Sequence, residues 1–383
     1  MVQCKKCLIE ARLVKSTAAE RLPKSRGKGA GAEADVVATV PLAVRRISAL
    51  LSLMRRAIQY LFPHPREIAV VAFCNCLFSF SKFIQRYKNM KNTVFTGAAT
   101  ALVTPLTESG IDFENFGKLI DFQIEKGIDA LVAVGTTGEG STLDDAEHKA
   151  AIKYCVERVA GRVPVIAGTG SNDIAYAIEL TKYSCEVGAD AMLLVTPYYN
   201  KATQAGMELS FLKIAEASTK PCILYNVPGR TGCNLLPATA ARLSEHENIV
   251  AIKEACGNIS QIAELAALVG DKMDIYSGND DQIVPIMSLG GKGVISVLSN
   301  ILPAETSAIC HKFLAGDIAG AREMQLRYIP LINALFSEVN PIPAKAACAA
   351  MGFGENYLRL PLTPMSKGNE AVLLDLMRAE NLI

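Results

Sequence analysis

Lys253 is the residue of this 383-residue chain whose setting points most directly to chemistry. It closes the apolar run IVAI at 249–252, and a lysine buried among such residues loses the hydration of its charge. Desolvation lowers the pKa of a lysine and leaves a neutral amine, which Schiff-base formation with a carbonyl substrate requires. The alternative is a lysine that forms an ion pair with Glu254 or another carboxylate, and position alone does not decide between the two.

The segment GTTGE at 135–139 follows one apolar run and precedes a helical pattern. Its backbone N–H groups and hydroxyls are suited to holding a carboxylate or a phosphate. It lacks the Gly-Lys-Ser/Thr ending of a P-loop, which disfavours a nucleotide as the ligand. The alternative is an ordinary turn between a strand and a helix.

Three tyrosines and an arginine lie at the ends of further apolar runs or just beyond them: Tyr198, Tyr199, Tyr225 and Arg230. A phenol can shuttle a proton along a chain of hydroxyls, whereas packing with a satisfied hydroxyl is the commoner role of tyrosine. A loop arginine suits bidentate capture of a carboxylate, although a surface ion pair is its commoner fate.

Metal ligands are not grouped in the sequence. The histidines are far apart, so no metal site is expected, and Asp280 and Asp281 lie at a predicted helix start, where capping explains them. Two cysteine pairs, at 4/7 and 74/76, make a weak case for zinc. The other seven cysteines are interpreted as reduced core thiols of a cytosolic protein.

Eight apolar runs alternate with helical patterns and must position these side chains. The predicted strands are 98–103, 129–135, 163–167, 190–196, 222–226, 249–253, 274–278 and 293–297. The predicted helices between them include 112–126, 144–160, 173–187, 204–217 and 258–269. This pattern predicts an α/β protein with a TIM (β/α)8 barrel, whose functional side chains lie at the carboxyl ends of the strands. An open doubly wound sheet is the alternative, but no Gly-x-Gly-x-x-Gly follows the first strand to favour it.

Composition divides the chain near residue 90. Residues 1–89 hold 16 Lys/Arg and 5 Asp/Glu, a net charge of +11, whereas the remainder carries −10. Residues 41–62 form a basic amphipathic pattern, and the apolar run 68–80 is short for a membrane span. We therefore expect a basic N-terminal extension at 1–89 that is poorly ordered or not native. A barrel at 90–302 and a C-terminal helical region at 303–383 are expected to follow.

Three interpretations of residues 1–89 compete. They are an organelle-targeting extension, a peripheral membrane anchor, or a stretch that is not translated because the true start is Met90. We favour the third, because the composition changes abruptly there and all coherent chemistry follows. The non-enzymatic alternative is a protein that associates with membranes or nucleic acids through residues 1–89, although the overall charge of +1 argues against a dedicated nucleic-acid binder.

Residues 94–383 resemble the dihydrodipicolinate synthase family of class I aldolases. The resemblance rests on motifs in the same order: GTTGE (135–139), AGTGSN (167–172), TPYYN (196–200), YNVPGRTG (225–232), IKEACGN (252–258), SGND (277–280) and GVISV (293–297). It implies a TIM barrel with a C-terminal helical domain, usually in homotetramers. It also implies a cytoplasmic lyase of lysine and diaminopimelate biosynthesis that needs no cofactor beyond its own lysine imine.

The implied reaction condenses pyruvate with L-aspartate-4-semialdehyde to give 4-hydroxy-tetrahydrodipicolinate. By resemblance, Lys253 forms the Schiff base with pyruvate, and an enamine then attacks the semialdehyde. Tyr225, Thr136 and Tyr199 match the proton relay of the family, in which the last tyrosine reaches across the interface of a dimer within a dimer of dimers. Neither nucleic acid nor membrane is an implied partner, unless residues 1–89 are native.

Four further positions match substrate contacts of the family. Thr137 corresponds to the contact with the pyruvate carboxylate, and Arg230 to the residue that receives the semialdehyde carboxylate. Gly278 and Ile295 complete the implied substrate-binding set. N-acetylneuraminate lyase and 2-keto-3-deoxy sugar acid aldolases share the barrel and the lysine and are the alternative, but the double threonine of GTTGE and Arg230 favour the synthase.

An effector pocket lies at the dimer interface of lysine-inhibited members, and His148, Asn172 and Tyr198 match it. Asp145 stands where those members often carry histidine. Tyr176 stands where a carboxylate usually grips the effector's amine. Loss of a charge partner from a buried site costs roughly 2–5 kcal/mol of binding. We therefore expect weak or absent feedback inhibition by L-lysine.

Overall fold

Eight parallel strands close into a barrel in the computed structural model, which describes residues 93–383. The strands are β1 (Gly97–Ala101), β2 (Ala130–Ala133), β3 (Val165–Gly168), β4 (Ala191–Val195), β5 (Cys222–Asn226), β6 (Ile249–Glu254), β7 (Asp274–Ser277) and β8 (Gly293–Ser296). Each strand pairs with the next along the chain, and β8 pairs with β1. All eight predicted strands are confirmed to within two residues at either end, whereas the expectations for residues 1–89 and for a start at Met90 lie outside the described residues.

Helices follow the strands and cover the outside of the barrel. They are α1 (Phe113–Glu125), α2 (Asp145–Val159), α3 (Ile174–Glu186), α4 (Gln204–Ala217), α5 (Pro228–Thr231), α6 (Pro237–Leu243), α7 (Ile259–Val269), α8 (Ile283–Ser288), α9 (Pro303–Leu314), α10 (Ile318–Leu335), α11 (Ile342–Ala350) and α12 (Lys367–Ala379). A two-stranded hairpin, Leu106–Thr107 with Gly110–Ile111, precedes α1. The predicted barrel with C-terminal helices is confirmed.

The strands are buried on both faces, which explains why they are apolar runs rather than alternating patterns. One cluster of side chains fills the barrel interior and includes Val132, Ile166, Leu193, Ile223 and Ile295. A second, larger cluster packs the outer faces of the strands against the helices. The two layers fix the directions in which the strand ends present their side chains.

The closure between β1 and β8 requires glycine on both strands. Gly97 lies opposite Gly293 in the register, and their φ angles are +115° and +150°. A Cβ on Gly293 would lie 1.7 Å from the carbonyl oxygen of Gly97. No other residue allows the backbones to approach this closely while the barrel closes.

An aromatic pair fills the amino end of the barrel. The rings of Phe95 and Tyr276 stack with their centroids 4.2 Å apart. The Tyr276 hydroxyl donates to the Phe95 carbonyl oxygen at 2.6 Å, so the buried phenol is satisfied by the chain that enters the barrel. The pair therefore closes this end of the barrel by packing.

The C-terminal helices continue the helical layer and then add to it. α9 packs against β1 and α10, and α12 packs against α10 and α11. In the part of the chain from residue 93 onward, no helix is both long and apolar enough to cross a membrane. The seven cysteines of this part are unpaired, and five of them are buried, as core thiols should be.

Candidate active site

Lys253 is the next-to-last residue of β6 and points into the barrel mouth. It is buried, and its Nζ lies 4.4 Å from the centroid of the Tyr225 ring. The register places Tyr225 of β5 and Tyr276 of β7 directly opposite Lys253 on its two neighbouring strands. The amine thus lies over the ring of Tyr225, whereas Tyr276 is its neighbour in the strand register.

Burial lowers the pKa of Lys253 from 10.5 to about 7, because the ammonium form loses hydration there. The negative charge of Asp280 raises this pKa and the positive charge of Arg230 lowers it, but both effects are smaller than that of burial. Near neutral pH a large fraction of the amine is thus unprotonated and nucleophilic.

Glu254 is not the partner of Lys253. Its carboxylate accepts hydrogen bonds from Nδ2 of Asn226, at 3.0 and 3.1 Å, and from the backbone N–H of Cys256 at 2.8 Å. Among residues 93–383, no carboxylate lies within ion-pair distance of the Lys253 amine. Of the two alternatives left open by the sequence, the described residues thus favour the lysine without an ion-pair partner, whose pKa burial lowers.

Asp280 has a different role from the helix capping that its position at a predicted helix start suggested. It is buried, and its Oδ2 accepts from the backbone N–H groups of Val297 and Leu298, at 3.0 and 2.9 Å. It therefore caps the turn after β8 rather than its own helix. Burial raises the pKa of Asp280, and the nearby Lys253 lowers it.

Tyr225 and Thr136 meet at the mouth of the barrel. The Tyr225 side chain is buried at the end of β5, whereas Thr136 is exposed at the start of the GTTGE loop. Burial raises the pKa of the Tyr225 hydroxyl, while the charge of Arg230 and a hydrogen bond with Thr136 lower it. The phenol beside the Lys253 amine is therefore connected to solvent through one threonine hydroxyl, an arrangement that suits proton transfer.

Asn340 joins the site from the region after the barrel. Its Nδ2 donates to the Thr137 hydroxyl at 3.0 Å, and its carbonyl oxygen accepts from Nη1 of Arg230 at 3.1 Å. Thr137 is buried, whereas Arg230 lies exposed in α5. Reasoning from the sequence missed Asn340, because nothing near it in the chain marks it as functional.

A small cavity of about 50 Å³ surrounds the Lys253 amine. Its lining includes Thr136, Thr137, Tyr225, Arg230, Lys253, Gly278 and Asn340. A Cβ on Gly278 would lie 3.2 Å from Cε of Lys253 and 2.7 Å from Cβ of Ala255, so glycine leaves room for the lysine chain. Ile295, the remaining predicted binding residue, is buried in the interior of the barrel and is not among the residues that line this cavity.

Tyr199 does not join Tyr225 and Thr136 within one chain. Its side chain is 88% exposed, and its backbone has a φ of +73°, which few residues other than glycine adopt. Its backbone N–H donates to the Thr231 carbonyl at 3.3 Å, which holds the loop in place while the phenol projects outward. Two members of the predicted relay are thus together, and the third is largely exposed to solvent.

A larger, open cavity of about 510 Å³ adjoins the small one. Its lining includes Thr136, Tyr225 and Arg230, together with His148, Tyr198 and Tyr199. Burial lowers the pKa of His148, whose Nε2 lies 2.9 Å from the Gly168 carbonyl oxygen. Asn172 contributes indirectly, because its Nδ2 donates to the Tyr198 carbonyl at 3.4 Å.

Tyr176 and Asp145 interact with each other at the far side of this cavity. Burial raises the pKa of Tyr176, and the charge of Asp145 and a hydrogen bond with it raise the pKa further. Asp145 also forms an ion pair with Lys149 at 2.8 Å. Glu179, the second carboxylate near Tyr176, pairs with the same Lys149 at 2.7 Å, so both carboxylates are already engaged by groups of the protein itself.

Metal ligands do not converge in the structure: among residues 93–383, no three His, Cys, Asp or Glu side chains are placed to hold an ion. The chemistry available at the barrel mouth is that of an amine, a phenol, two threonine hydroxyls and a guanidinium. This set can form an imine, move a proton and bind carboxylates.

Comparisons with known proteins give consistent matches to this part of the chain. The Dihydrodipicolinate synthetase family profile matches residues 94–379. A curated relative, the 4-hydroxy-tetrahydrodipicolinate synthase of Acetivibrio thermocellus, is 53% identical over 294 residues, which cover 77% of this chain and 100% of the relative.

Solved structures give the same result. The dihydrodipicolinate synthase of Acinetobacter baumannii, solved as a complex with pyruvate, superposes with a TM-score of 0.74 at 44% identity and covers 76% of this chain and 100% of its own. The enzyme of Cyanidioschyzon merolae, solved with lysine bound, gives a TM-score of 0.73 at 41% identity, with coverage of 76% and 100%.

Proposed function

This chain belongs to the dihydrodipicolinate synthetase family, and on that premise we propose how the residues at the barrel mouth carry out its reaction. The protein is a lyase that condenses pyruvate with L-aspartate-4-semialdehyde to give 4-hydroxy-tetrahydrodipicolinate, in lysine and diaminopimelate biosynthesis. The observation that carries the assignment of roles is the buried Lys253 amine, whose pKa is about 7, beside the phenol of Tyr225.

Imine formation is the first step. The unprotonated amine of Lys253 attacks the carbonyl carbon of pyruvate, and the carbonyl oxygen leaves as water. The carboxylate of pyruvate binds at Thr137, whose hydroxyl is already oriented by Asn340. The cavity of about 50 Å³ surrounds the Lys253 amine, so a substrate as small as pyruvate can occupy it once it is joined to the lysine as an imine.

Proton transfer is the second step. The positively charged imine withdraws electrons from the methyl carbon of pyruvate, so that carbon loses a proton and an enamine forms. Tyr225 lies where it can relay this proton, and Thr136 passes it towards solvent. We propose that no cofactor takes part, because the imine itself accepts the electron pair.

Carbon–carbon bond formation follows. The enamine carbon attacks the aldehyde of the semialdehyde, and the aldehyde oxygen gains a proton from the relay. Arg230 binds the distal carboxylate at the exposed side of the cavity. The amine of the bound chain then attacks the imine carbon, which closes the ring and releases Lys253. One water is lost overall, in the first step.

Tyr199 is proposed to act in a neighbouring copy of the chain. Its phenol is 88% exposed, and its uncommon backbone conformation is held by a hydrogen bond to the Thr231 carbonyl. We propose a dimer in which each Tyr199 completes the relay of the other copy, within a homotetramer.

A cytoplasmic location is proposed on two grounds. The substrates are small central metabolites, and the seven cysteines of residues 93–383 are unpaired, as is usual in a reducing compartment.

Borohydride trapping tests the assignment of the nucleophile. The protein is incubated with pyruvate and sodium borohydride, digested, and mapped by mass spectrometry. The expected adduct lies on Lys253. An adduct on another lysine, or none, contradicts the assignment.

A comparison of acceptors tests the function itself. Pyruvate-dependent consumption of aspartate semialdehyde is measured beside cleavage of N-acetylneuraminate and of a 2-keto-3-deoxy sugar acid. Consumption of the semialdehyde alone is the expected result, because Arg230 and the double threonine present carboxylate contacts. Faster cleavage of either sugar acid would favour the related lyases instead.

A further inference from the structure

Glu139, the last residue of the GTTGE loop, is a buried charged group with no role in the steps above. It is 2% exposed, and its backbone has a φ of +56°. Glycine adopts this conformation freely, whereas a residue with a Cβ stays in it only where its surroundings hold it. The contacts of the Glu139 side chain show what holds it.

Lys345 of α11 forms an ion pair with Glu139, and it too is 2% exposed. The other carboxylate oxygen of Glu139 accepts the backbone N–H of Arg359 at 3.1 Å. Both charges are thus removed from water, and each is compensated by the other. Because an isolated buried charge is strongly unfavourable, the pair resists any movement of one partner away from the other.

Arg359 extends this connection along the same loop. Its Nη1 donates to the Thr142 carbonyl at 3.1 Å, and its guanidinium forms an ion pair with Glu147. Glu147 also completes the capping box that starts α2. Residues after the barrel therefore hold the loop at Glu139 and, a few residues further on, at Thr142 and Glu147.

Neither Glu139 nor Lys345 lines the small cavity around Lys253 or the larger cavity beside it. They adjoin two residues that do, since Thr136 and Thr137 lie three and two positions before Glu139 in one tight loop. Within that loop, the N–H of Glu139 donates to the Thr136 carbonyl at 3.1 Å. A shift of Glu139 therefore moves both threonines.

We propose that the buried Glu139–Lys345 pair is a positioning device, through which the region after the barrel sets the places of Thr136 and Thr137. It holds the Thr136 hydroxyl against Tyr225 and the Thr137 hydroxyl towards the pyruvate carboxylate. The inference rests on the proposed function, because those hydroxyls have these roles only in that reaction.

Two single variants and their combination test the device. Glu139→Gln removes the anion with little change in shape, and Lys345→Met removes the cation. Each is expected to raise KM for pyruvate and to lower kcat by ~10-fold or more, because a displacement of about 1 Å in a positioned group costs up to about 10²-fold. KM for the semialdehyde, which depends on Arg230, should change much less.

The double variant Glu139→Gln/Lys345→Met removes both charges and leaves no buried ion without a partner. Its loss should be smaller than the product of the two single losses, because the two residues act as one unit. Leu243→Ala serves as the control for general destabilisation. It removes a buried side chain of α6, which packs on α4 and α7, and its KM for pyruvate should equal that of the parent.

The outcomes separate this inference from the proposed function. If the parent traps pyruvate on Lys253 and the folded single variants keep their KM and kcat within about twofold, the positioning role is wrong while the function stands. If the parent itself forms no adduct, the proposed function fails first.

Should either single variant fail to fold, Arg359→Met gives the same test at a partly exposed residue of the C-terminal region that contacts the same loop. It is expected to raise KM for pyruvate in the same direction but less. An unchanged KM would then overturn the proposal.

Discussion

The two strands that flank Lys253 each carry a buried tyrosine in register with it, and the two hydroxyls have different partners. At the carboxyl end, Tyr225 lies beneath the amine and interacts with the Thr136 hydroxyl, which leads to an open cavity. On the other neighbouring strand, Tyr276 donates its hydroxyl to a backbone carbonyl near the amino end and stacks on Phe95. Two residues of one type in one register therefore differ in what the hydroxyl contacts. We expect the hydroxyl connected to Thr136 to serve proton transfer and the one bound to the backbone to serve stability.

Replacement of the amine should have the largest effect. Lys253→Met removes the nucleophile while keeping a side chain of similar length, and we expect activity to fall by at least about 10³-fold. Stability should not fall, because the variant no longer buries an ionisable amine. Steady-state kinetics and denaturant unfolding measure the two quantities. A folded variant with substantial activity would show that Lys253 is not the nucleophile.

A matched pair of variants tests the comparison between the tyrosines. Tyr225→Phe should lower kcat by about 10²–10³-fold with little loss of stability, because it removes a proton carrier. Tyr276→Phe should leave kcat unchanged and lower the free energy of unfolding by about 1–3 kcal/mol, because the backbone groups of Phe95 lose their buried partner.

Measuring kcat and the free energy of unfolding for both variants decides whether the two tyrosines have different roles. Equal losses of kcat in the two variants would mean that burial beside Lys253, rather than connection to Thr136, determines the role of a tyrosine here.

The pH dependence of imine formation should report on Lys253. Because burial lowers its pKa to about 7, the rate of borohydride-trapped adduct formation should rise with pH through about 7 and then level off. Below that midpoint, the rate should fall about tenfold per pH unit, as the neutral fraction does.

The same shift affects stability with a defined sign. Between pH 7 and 10.5 the unfolded chain binds a proton at this lysine that the folded chain does not, so its contribution to the free energy of unfolding rises with pH. The contribution should be absent from Lys253→Met. A midpoint for adduct formation near 10 would show that burial does not control this amine.

L-Lysine should have the smallest effect, since the larger cavity lacks a free carboxylate for its amine. Asp145 is engaged by Lys149 and Tyr176, and Tyr176 carries no charge to replace it. Activity assayed with micromolar L-lysine should equal activity without it. Tyr176→Glu makes the test sharper, because it adds an anion to the cavity and should increase the sensitivity of the enzyme to inhibition by L-lysine. Inhibition of the parent in the micromolar range would contradict the expectation.

The sequence was sufficient for the parts of the molecule that depend on local pattern. Strands buried on both faces are continuous apolar runs, so all eight strands were predictable, and Lys253 stood out as the charged end of one of them. The ends of those strands also gave Thr136 and Tyr225, because the barrel geometry gathers strand ends at one rim.

Other parts depend on contacts that no local pattern encodes. Asn340 lies 203 positions after the threonine that it orients, and Asp280 caps a turn that follows another strand. Ile295 is a buried residue of the barrel interior that does not line the small cavity, and its contact with the substrate stays a prediction. The role that we propose for Tyr199 depends on a second copy of the chain, which a single sequence pattern cannot specify.

The hydrogen bond between Thr137 and Asn340 has a consequence for the order in which the protein is made. The two residues are 203 positions apart, so every strand of the barrel emerges from the ribosome before the threonine can meet its partner. A nascent chain that ends before residue 340 already contains Lys253 and Tyr225 but lacks the group that orients Thr137. If these residues have the roles that we propose, synthesis delivers the reactive amine well before the element that directs pyruvate to it, and competence for catalysis is acquired late in translation.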